Sequence, residues 1–192
     1  MVRHLAEART LPPGYTVTYP NRDKVSSRVT KLIVVVIMLV SVALMLAVTV
    51  GGWSKLQGMT PINFAWCLIY LILAFYVWRW NRGLLPIAAA LAILLLIIAL
   101  IAGTGASGTS WFDRNHIDYA PAQSLFGGSG LSPDTLGLLT LLIAPVQLLL
   151  IFFGMRGFAQ GWNVEVEVPV DQLRSGGGGS SDPGRSGAPA TA

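Results

Sequence analysis

Four long apolar runs dominate the pattern of polar and hydrophobic positions in this chain. They contain 19, 17, 19 and 18 residues, and none of them includes a charged side chain. A helix rises about 1.5 Å per residue, so each run is close to the length that crosses about 30 Å of hydrocarbon. Backbone polar groups that meet lipid must be satisfied within the helix. The sequence therefore predicts four transmembrane helices, which we call spans 1 to 4: Leu32–Val50, Ile62–Trp78, Leu84–Ala102 and Leu136–Phe153.

Composition supports a membrane protein and excludes a water-soluble one. The chain is 53% hydrophobic and 11% charged, whereas soluble domains average about 25% charged residues. A net charge of +4 would suggest nucleic acid as the partner of a soluble protein. Here the positions of the charges matter more than their sum, and we expect no nucleic-acid partner.

The distribution of basic residues predicts the orientation. If the chain crosses the membrane four times, eleven of its thirteen basic residues lie on the side of the two termini, and only Lys55 and Arg114 lie on the other. Basic residues are enriched in cytoplasmic segments. We therefore expect a multi-pass protein of the plasma (inner) membrane with both termini in the cytoplasm. The richness in Gly, Ala and Leu is typical of a GC-rich bacterium.

The predicted fold class is an all-α integral membrane protein of four antiparallel helices with one long extracytoplasmic loop, residues 103–135. Residues 1–30 form a basic cytoplasmic arm, residues 31–160 the transmembrane domain, and residues 161–192 a cytoplasmic tail that is flexible from about residue 175. The turn at residues 81–83 is so short that spans 2 and 3 are expected to pack as neighbours. Residues 164–168 alternate like a strand, but Pro169 and the lack of an evident partner strand make them an edge at best.

Small residues at helical spacing predict how the spans pack, because helices in lipid associate through close approach. On span 1 the series is Ala43, Ala47 and Gly51, and on span 3 it begins with Ala88 and Ala92. The longest series stays on one face of span 4 and comprises Gly137, Thr140, Ala144, Gln147 and Gly154. We expect this last face to be the main buried seam of the bundle.

Pro145 lies in the middle of span 4, two residues before Gln147. Proline removes a backbone donor and clashes with the carbonyl of the preceding turn, so a kink is expected there. A broken helix beside a buried amide forms the substrate site of some transporters. The simpler interpretation is a feature of shape, with Gln147 bonded to a neighbouring helix.

The four apolar runs contain few side chains that could take part in catalysis, proton transfer or metal binding. None contains Asp, Glu, Lys, Arg or His, which disfavours a proton pump, a voltage sensor and haem ligation. Cys67 is the only cysteine and is interpreted as a small packing residue. Phosphate-binding and nucleophile motifs are lacking, and residues 127–130 are interpreted as a linker. We expect no cofactor, no metal site and no catalytic residues.

The loop between spans 3 and 4 holds the densest group of polar and aromatic side chains. Its spacing is not specific for a metal site or for a nucleophile with its base. Aromatic residues beside charges favour a protein interface instead. The candidate partner-binding residues are Trp111, Phe112, Asp113, Arg114, His116, Asp118 and Tyr119.

These observations favour a non-catalytic subunit, or an assembly or stabilising factor, of a larger membrane complex. Its expected partners are the lipid bilayer and other membrane protein subunits, and a homo-oligomer remains open. Two alternatives also remain. One is a small channel or carrier that uses the helix break at Pro145 and Gln147, and the other is a membrane enzyme that acts through the outer loop.

Overall fold

A computed structural model describes residues 13–56, 58–104, 111–113 and 123–175 of the chain. Four of its helices are long and apolar enough to cross a membrane. They are α2 (Val25–Gly51), α3 (Thr60–Trp78), α4 (Leu85–Thr104) and α5 (Pro133–Ala159). Each contains most of one predicted apolar run, and we keep the names spans 1 to 4 for them. The prediction of a mostly helical chain with four helices long and apolar enough to cross a membrane is confirmed.

Spans 1 and 4 are longer than their apolar runs. Both helices have 27 residues, about 40 Å at about 1.5 Å per residue. Span 4 begins after Ser132, whose hydroxyl oxygen accepts a hydrogen bond from the Thr135 backbone N–H at 3.2 Å. Pro133 then occupies the first turn, where a missing N–H is not needed. The extra length of both helices lies mainly at the end of the bundle where span 1 begins and span 4 ends. We call this the terminal end and the opposite one the loop end.

The chain forms two compact units, and residues 21–164 make up the unit that contains the spans. The other unit, in the part of the chain that the structure describes, comprises residues 13–20 and 165–175. In it, β1 (Tyr15–Thr18) pairs in antiparallel fashion with β2 (Val166–Pro169). The Thr18 hydroxyl donates to the Val166 carbonyl at 3.2 Å. The described residues also include two short α-helices, α1 (Pro20–Asp23), which runs from this unit into the first, and α6 (Val170–Ser175).

This two-stranded ribbon corrects the expectation that the alternating segment after span 4 has no partner strand. The partner is supplied by the N-terminal arm, almost the full length of the chain away. Pro169 stands at the end of β2, opposite Tyr15, where its missing N–H does little harm to the pairing. A four-residue strand carries too little alternation to be recognised in isolation.

The spans are arranged in the order 2, 1, 4, 3. Span 4 makes the most extensive contact with span 3 and a smaller one with span 1, which also packs on span 2. Spans 2 and 3 touch only marginally, so the expectation that they pack as neighbours is not met. The link between them turns through Trp80, whose φ of +67° lies in the left-handed region, and through a 3-10 turn at Arg82–Leu84.

The contact between spans 3 and 4 is tight because small residues line it. Ala88 and Ala92 on span 3 are fully buried. A Cβ atom built on Gly103 would lie 2.6 Å from the Leu141 Cγ and 3.1 Å from the Gly137 carbonyl oxygen. The two backbones therefore approach each other as closely as helices in lipid do when small residues face one another.

Candidate functional site

A buried polar cluster joins three of the spans near the middle of the bundle. Its members are Ser41 on span 1, Tyr70 on span 2 and Gln147 on span 4, and all three are 0% exposed. The Tyr70 hydroxyl donates to the Gln147 Oε1 at 2.8 Å. The Gln147 Nε2 donates to the Ser41 Oγ at 3.0 Å. The cluster thus connects span 4 to spans 1 and 2 by side-chain hydrogen bonds.

The hydrogen bonds of the cluster fix the orientation of the Gln147 amide. The Ser41 hydroxyl donates its only proton to the Ile37 carbonyl at 2.9 Å. Its oxygen can therefore only accept, and it must face the NH₂ group of Gln147. The Gln147 Oε1 is then left to accept from Tyr70. Both polar heavy atoms of this amide are used inside the protein, which avoids the cost of about 1–3 kcal/mol of an unpaired buried group.

Trp66, one helical turn before Tyr70, carries a buried indole N–H that forms no hydrogen bond among the described residues. The Tyr70 hydroxyl donates its proton to Gln147, and its oxygen still has lone pairs that can accept a hydrogen bond. The two aromatic residues lie on one helical face, since they are four positions apart. The indole N–H therefore lies close enough to interact with the Tyr70 oxygen, although no hydrogen bond of good geometry forms.

A second polar contact ties the spans together at the terminal end. The Gln160 Nε2 donates to the Thr30 Oγ1 at 2.9 Å, and the Trp162 indole N–H donates to the Gln160 Oε1 at 2.9 Å. Trp162 is 0% exposed, and its ring packs edge to face on Trp80 with 5.4 Å between centroids. The Lys31 Nζ lies 3.9 Å from the centroid of the other ring in this stack, Trp80, which is cation–π geometry.

A third polar contact lies at the loop end, between spans 1 and 2. The Asn63 Nδ2 donates to the Thr49 Oγ1 at 3.2 Å. The Thr49 hydroxyl in turn donates to the Met45 carbonyl at 2.6 Å. Polar side chains thus join neighbouring spans at both ends and in the middle of the bundle. Each pair favours one register of its two helices over other registers, in which the polar groups would be unpaired.

The structure buries the whole small-residue series of span 4. Gly137, Thr140, Ala144, Gln147 and Gly154 all lie in the interior. Sequence reasoning missed Gly157, which continues the series by three residues and is also buried. A Cβ atom there would lie 3.1 Å from the Leu85 Cδ1. This face is packed against spans 1 and 3 over its full length.

The predicted series on the other two spans behave differently from each other. Ala88 and Ala92 of span 3 are fully buried. On span 1, Ala43 and Ala47 are exposed and Gly51 is half-buried, so two of the three members do not face a neighbouring helix. The reason is that the Ser41 hydroxyl hydrogen-bonds to Gln147. This contact sets the rotation of span 1 about its axis, so that larger side chains face the core. The buried face of span 1 includes Val34, Met38, Ser41, Met45 and Val48.

Pro145 and Gln147 lie on opposite faces of span 4. The helix continues without interruption from Pro133 to Ala159, and Pro145 is exposed on its surface. The missing N–H of Pro145 leaves the Leu141 carbonyl without its partner in the helix. The proline and the buried amide therefore do not form one site.

The candidate partner-binding loop is described only in part. Residues 111–113 form a 3-10 turn that includes the backbone of Asp113. Trp111 is half-buried, and Phe112 is buried against Val48, Leu56 and Leu136. The remaining candidates lie outside the described residues, namely Arg114, His116, Asp118 and Tyr119. Within the described ranges, no three His, Cys, Asp or Glu side chains are grouped so that they could hold a metal ion.

Sequence reasoning missed a second part of this loop, which ends just before span 4. The Leu131 N–H donates to the Gly51 carbonyl at 2.9 Å, and the Ser54 hydroxyl donates to the Ser129 carbonyl at 2.8 Å. Gly127 has a φ of +86° in the turn that these bonds support, a conformation that glycine adopts without strain. Phe126, at the tip of this turn, is 89% exposed. Positive φ angles at successive glycines make the segment a shaped turn, which glycine content alone did not reveal.

In the part of the chain that the structure describes, the polar side chains of the spans hydrogen-bond within and between helices. Side-chain hydrogen bonds hold the polar groups of the spans, and the runs themselves carry no Asp, Glu, Lys, Arg or His. No protein-family model, curated protein or solved structure matches this chain. A function therefore rests on the contacts of its own residues.

Proposed function

We propose that this protein is a non-catalytic subunit or assembly factor of a larger membrane complex, and that its partner docks at the loop end. The observation that carries the proposal is the turn that presents Phe126. Its side chain is 89% exposed, and the neighbouring Leu125 is 50% exposed. Burying a phenylalanine side chain contributes about 1.5–3 kcal/mol, so a partner that covers this turn gains an aromatic anchor of the kind found at interface hot spots.

The turn is held in place before any partner binds. Backbone and side-chain hydrogen bonds connect it to the link between spans 1 and 2, at Gly51 and Ser54. A segment that is already ordered loses little conformational entropy on binding. Phe126 and Leu125 are therefore suited to protein docking better than the same side chains on an unsupported loop.

The interior supports a scaffold rather than a transport path. Both polar atoms of the Gln147 amide are hydrogen-bonded to other spans, and Pro145 lies on the opposite face. A carrier that bound its substrate at Gln147 would have to break these hydrogen bonds at each transport step. We therefore propose a non-catalytic role.

We further propose that both termini lie in the cytoplasm. The Asn21 side chain donates to the Gly161 carbonyl at 3.1 Å, and the Arg22 Nε donates to the Trp162 carbonyl at 3.2 Å. The start of span 1 and the end of span 4 are thus neighbours at the terminal end. Most basic residues belong to segments at this end, which favours the cytoplasmic side.

Purification of the tagged full chain in a mild detergent, with quantitative identification of bound proteins, tests the proposal. We expect a partner in fixed ratio whose recovery falls about tenfold in Phe126→Ser, a loss of about 1.4 kcal/mol. Val25→Ser is the matched control, because Val25 is 77% exposed at the opposite end. A wild-type protein that migrates as a lone small particle, or a partner retained equally by both variants, would contradict the proposal. A second copy of the chain as the partner would identify a homo-oligomer.

A further inference from the structure

A cavity of about 240 Å³ lies in the loop half of the bundle, where the first turn of span 2 stands apart from span 3. Trp111 and Phe112 of the outer loop also line it. It exists because these two spans touch only marginally, while spans 1 and 4 close its back. The back wall includes Met45 and Val48 from span 1 and Ile143 from span 4. An engineered protein cavity of about 150 Å³ with apolar walls binds benzene, so this larger cavity has room for a longer hydrocarbon group.

The cavity opens toward the exposed apolar surface of span 3, which would meet lipid if this helix crosses a membrane. Ile98 and Ile101, which line it on span 3, are 42% and 58% exposed. Along span 3 the lining extends from Ala102 to Leu95, which is about 10 Å of helix at about 1.5 Å per residue. A hydrocarbon chain in the bilayer can therefore reach the cavity sideways without crossing water.

The wall is apolar apart from the side chains of Thr140 and Asn63 and the indole N–H of Trp111. The Thr140 hydroxyl donates to the Leu136 carbonyl at 2.8 Å and is satisfied within its own helix. Asn63 gives one amide proton to Thr49 at 3.2 Å. Its second amide proton and its Oδ1 form no hydrogen bond with the residues that the structure describes. An apolar cavity with one available polar group is the usual composition of a ligand site.

The depth of Asn63 indicates which ligand matches this composition. It is the fourth residue of α3 and so lies in the first helical turn, at the level of the membrane interface. A phospholipid places its ester carbonyls at this level and its hydrocarbon below. An amide N–H can donate to an ester carbonyl, and the chain below it can fill the space between the two spans, where dispersion contacts are otherwise lost.

From this geometry we propose that the cavity is a phospholipid-binding site. One acyl chain lies between spans 2 and 3 and packs against Met45 and Ile143. Its ester carbonyl accepts the second amide proton of Asn63. The bound lipid fills the contact that spans 2 and 3 do not make with each other, and it belongs to the leaflet at the loop end.

Photolabelling of the full chain in vesicles of phosphatidylethanolamine and phosphatidylglycerol tests this proposal. The probe is a trace of phospholipid with a diazirine midway along one acyl chain. Met45 and Ile143 are each 4% exposed, whereas Leu148 is 56% exposed to surrounding lipid. Labelling of Met45 and Ile143, normalised to Leu148, therefore reports a chain inside the cavity. We expect this ratio to be well above that of equally buried residues away from the cavity.

Two matched variants separate the cavity from general lipid contact. Ala102→Phe places a ring in the cavity, and we expect it to lower the labelling ratio at least about fivefold because the added volume competes with the chain. Ala90→Phe makes the same change on the same span at an exposed position away from the cavity, and we expect no change. Equal labelling ratios in wild type, Ala102→Phe and Ala90→Phe would overturn the proposal.

The ester contact has its own test, which needs no folded Ala102→Phe variant. An ether-linked probe lacks the carbonyl, so wild-type protein should label about threefold less with it than with the ester probe, as expected for the loss of one hydrogen bond. Asn63→Leu should label weakly and equally with both probes. Equal labelling of wild type by the ester and ether probes would overturn the assignment of Asn63. Labelling of Met45 by a free diazirine fatty acid but not by the phospholipid probe would overturn the choice of ligand. The choice would also be overturned if no lipid labelled Met45 and only a bound partner protein shielded it from solvent.

Discussion

Spans 3 and 4 meet almost backbone to backbone, whereas spans 2 and 3, although joined by a short turn, leave a cavity between them. The side chains at each contact, and not the length of the connecting turn, explain this difference in packing. Span 3 presents Ala88 and Ala92 to span 4, but span 2 carries large residues such as Phe64 and Leu68 on its exposed surface. In lipid, helices gain little from covering large apolar side chains. Close packing is thus decided by small residues, and chain proximity alone does not produce it.

The largest expected effect on stability comes from placing a larger side chain in the contact between spans 3 and 4. Ala92 is fully buried, so Ala92→Leu should lower the free energy of unfolding by about 2–3 kcal/mol through overpacking. Ala90→Leu, two residues away and exposed, should leave it unchanged. Reversible unfolding in mixed micelles measures both variants. An equal effect of the two substitutions would show that the contact is not the tight one described here.

An intermediate effect is expected at the polar cluster, which ties span 2 to the bundle in place of small residues. Gln147→Leu leaves the Tyr70 hydroxyl without its acceptor and should cost about 1–2 kcal/mol. Hydrogen-exchange protection should fall in span 2 and be retained in span 3. In a double-mutant cycle with Tyr70→Phe, we expect a coupling free energy of about 1 kcal/mol. Purely additive effects would argue against the Tyr70–Gln147 hydrogen bond.

The smallest effect should come from adding single methyl groups along the span 4 seam. A Cβ atom on Gly154 would meet the Leu85 carbonyl oxygen at 3.7 Å, which is an ordinary contact, whereas one on Gly157 would lie 3.1 Å from both the Leu85 Cδ1 and the Trp162 Cζ2. Gly154→Ala should therefore stabilise the helix by about 0.5 kcal/mol, because alanine loses less backbone entropy. Gly157→Ala should show no such gain. The reverse order in thermal unfolding would contradict the packing of this seam.

The sequence predicted the four membrane-spanning helices because length and lack of charge alone decide them. The predicted small-residue face of span 4 coincides with its buried face, since five positions at helical spacing leave one orientation. Span 1 differs because its orientation depends on a partner: Ser41 has to reach Gln147, and so Ala43 and Ala47 face outward. The partners of Gln147 could not be chosen from the sequence, where several tyrosines and hydroxyl groups were equivalent. The marginal contact of spans 2 and 3 could not be predicted either. Span 3 packs on span 4 and span 2 packs on span 1, and the short turn between spans 2 and 3 does not indicate this choice of partners.

The β1–β2 ribbon has a consequence for the order of events during synthesis. The Thr18 hydroxyl and the Val166 carbonyl that it contacts are 148 residues apart, so β1 leaves the ribosome long before its partner strand exists. At about 5–20 residues per second, the first strand waits roughly seven to thirty seconds for β2. Until then its backbone donors and acceptors are available to chaperones or neighbouring chains, and the closure of the ribbon marks a chain in which span 4 has already been made.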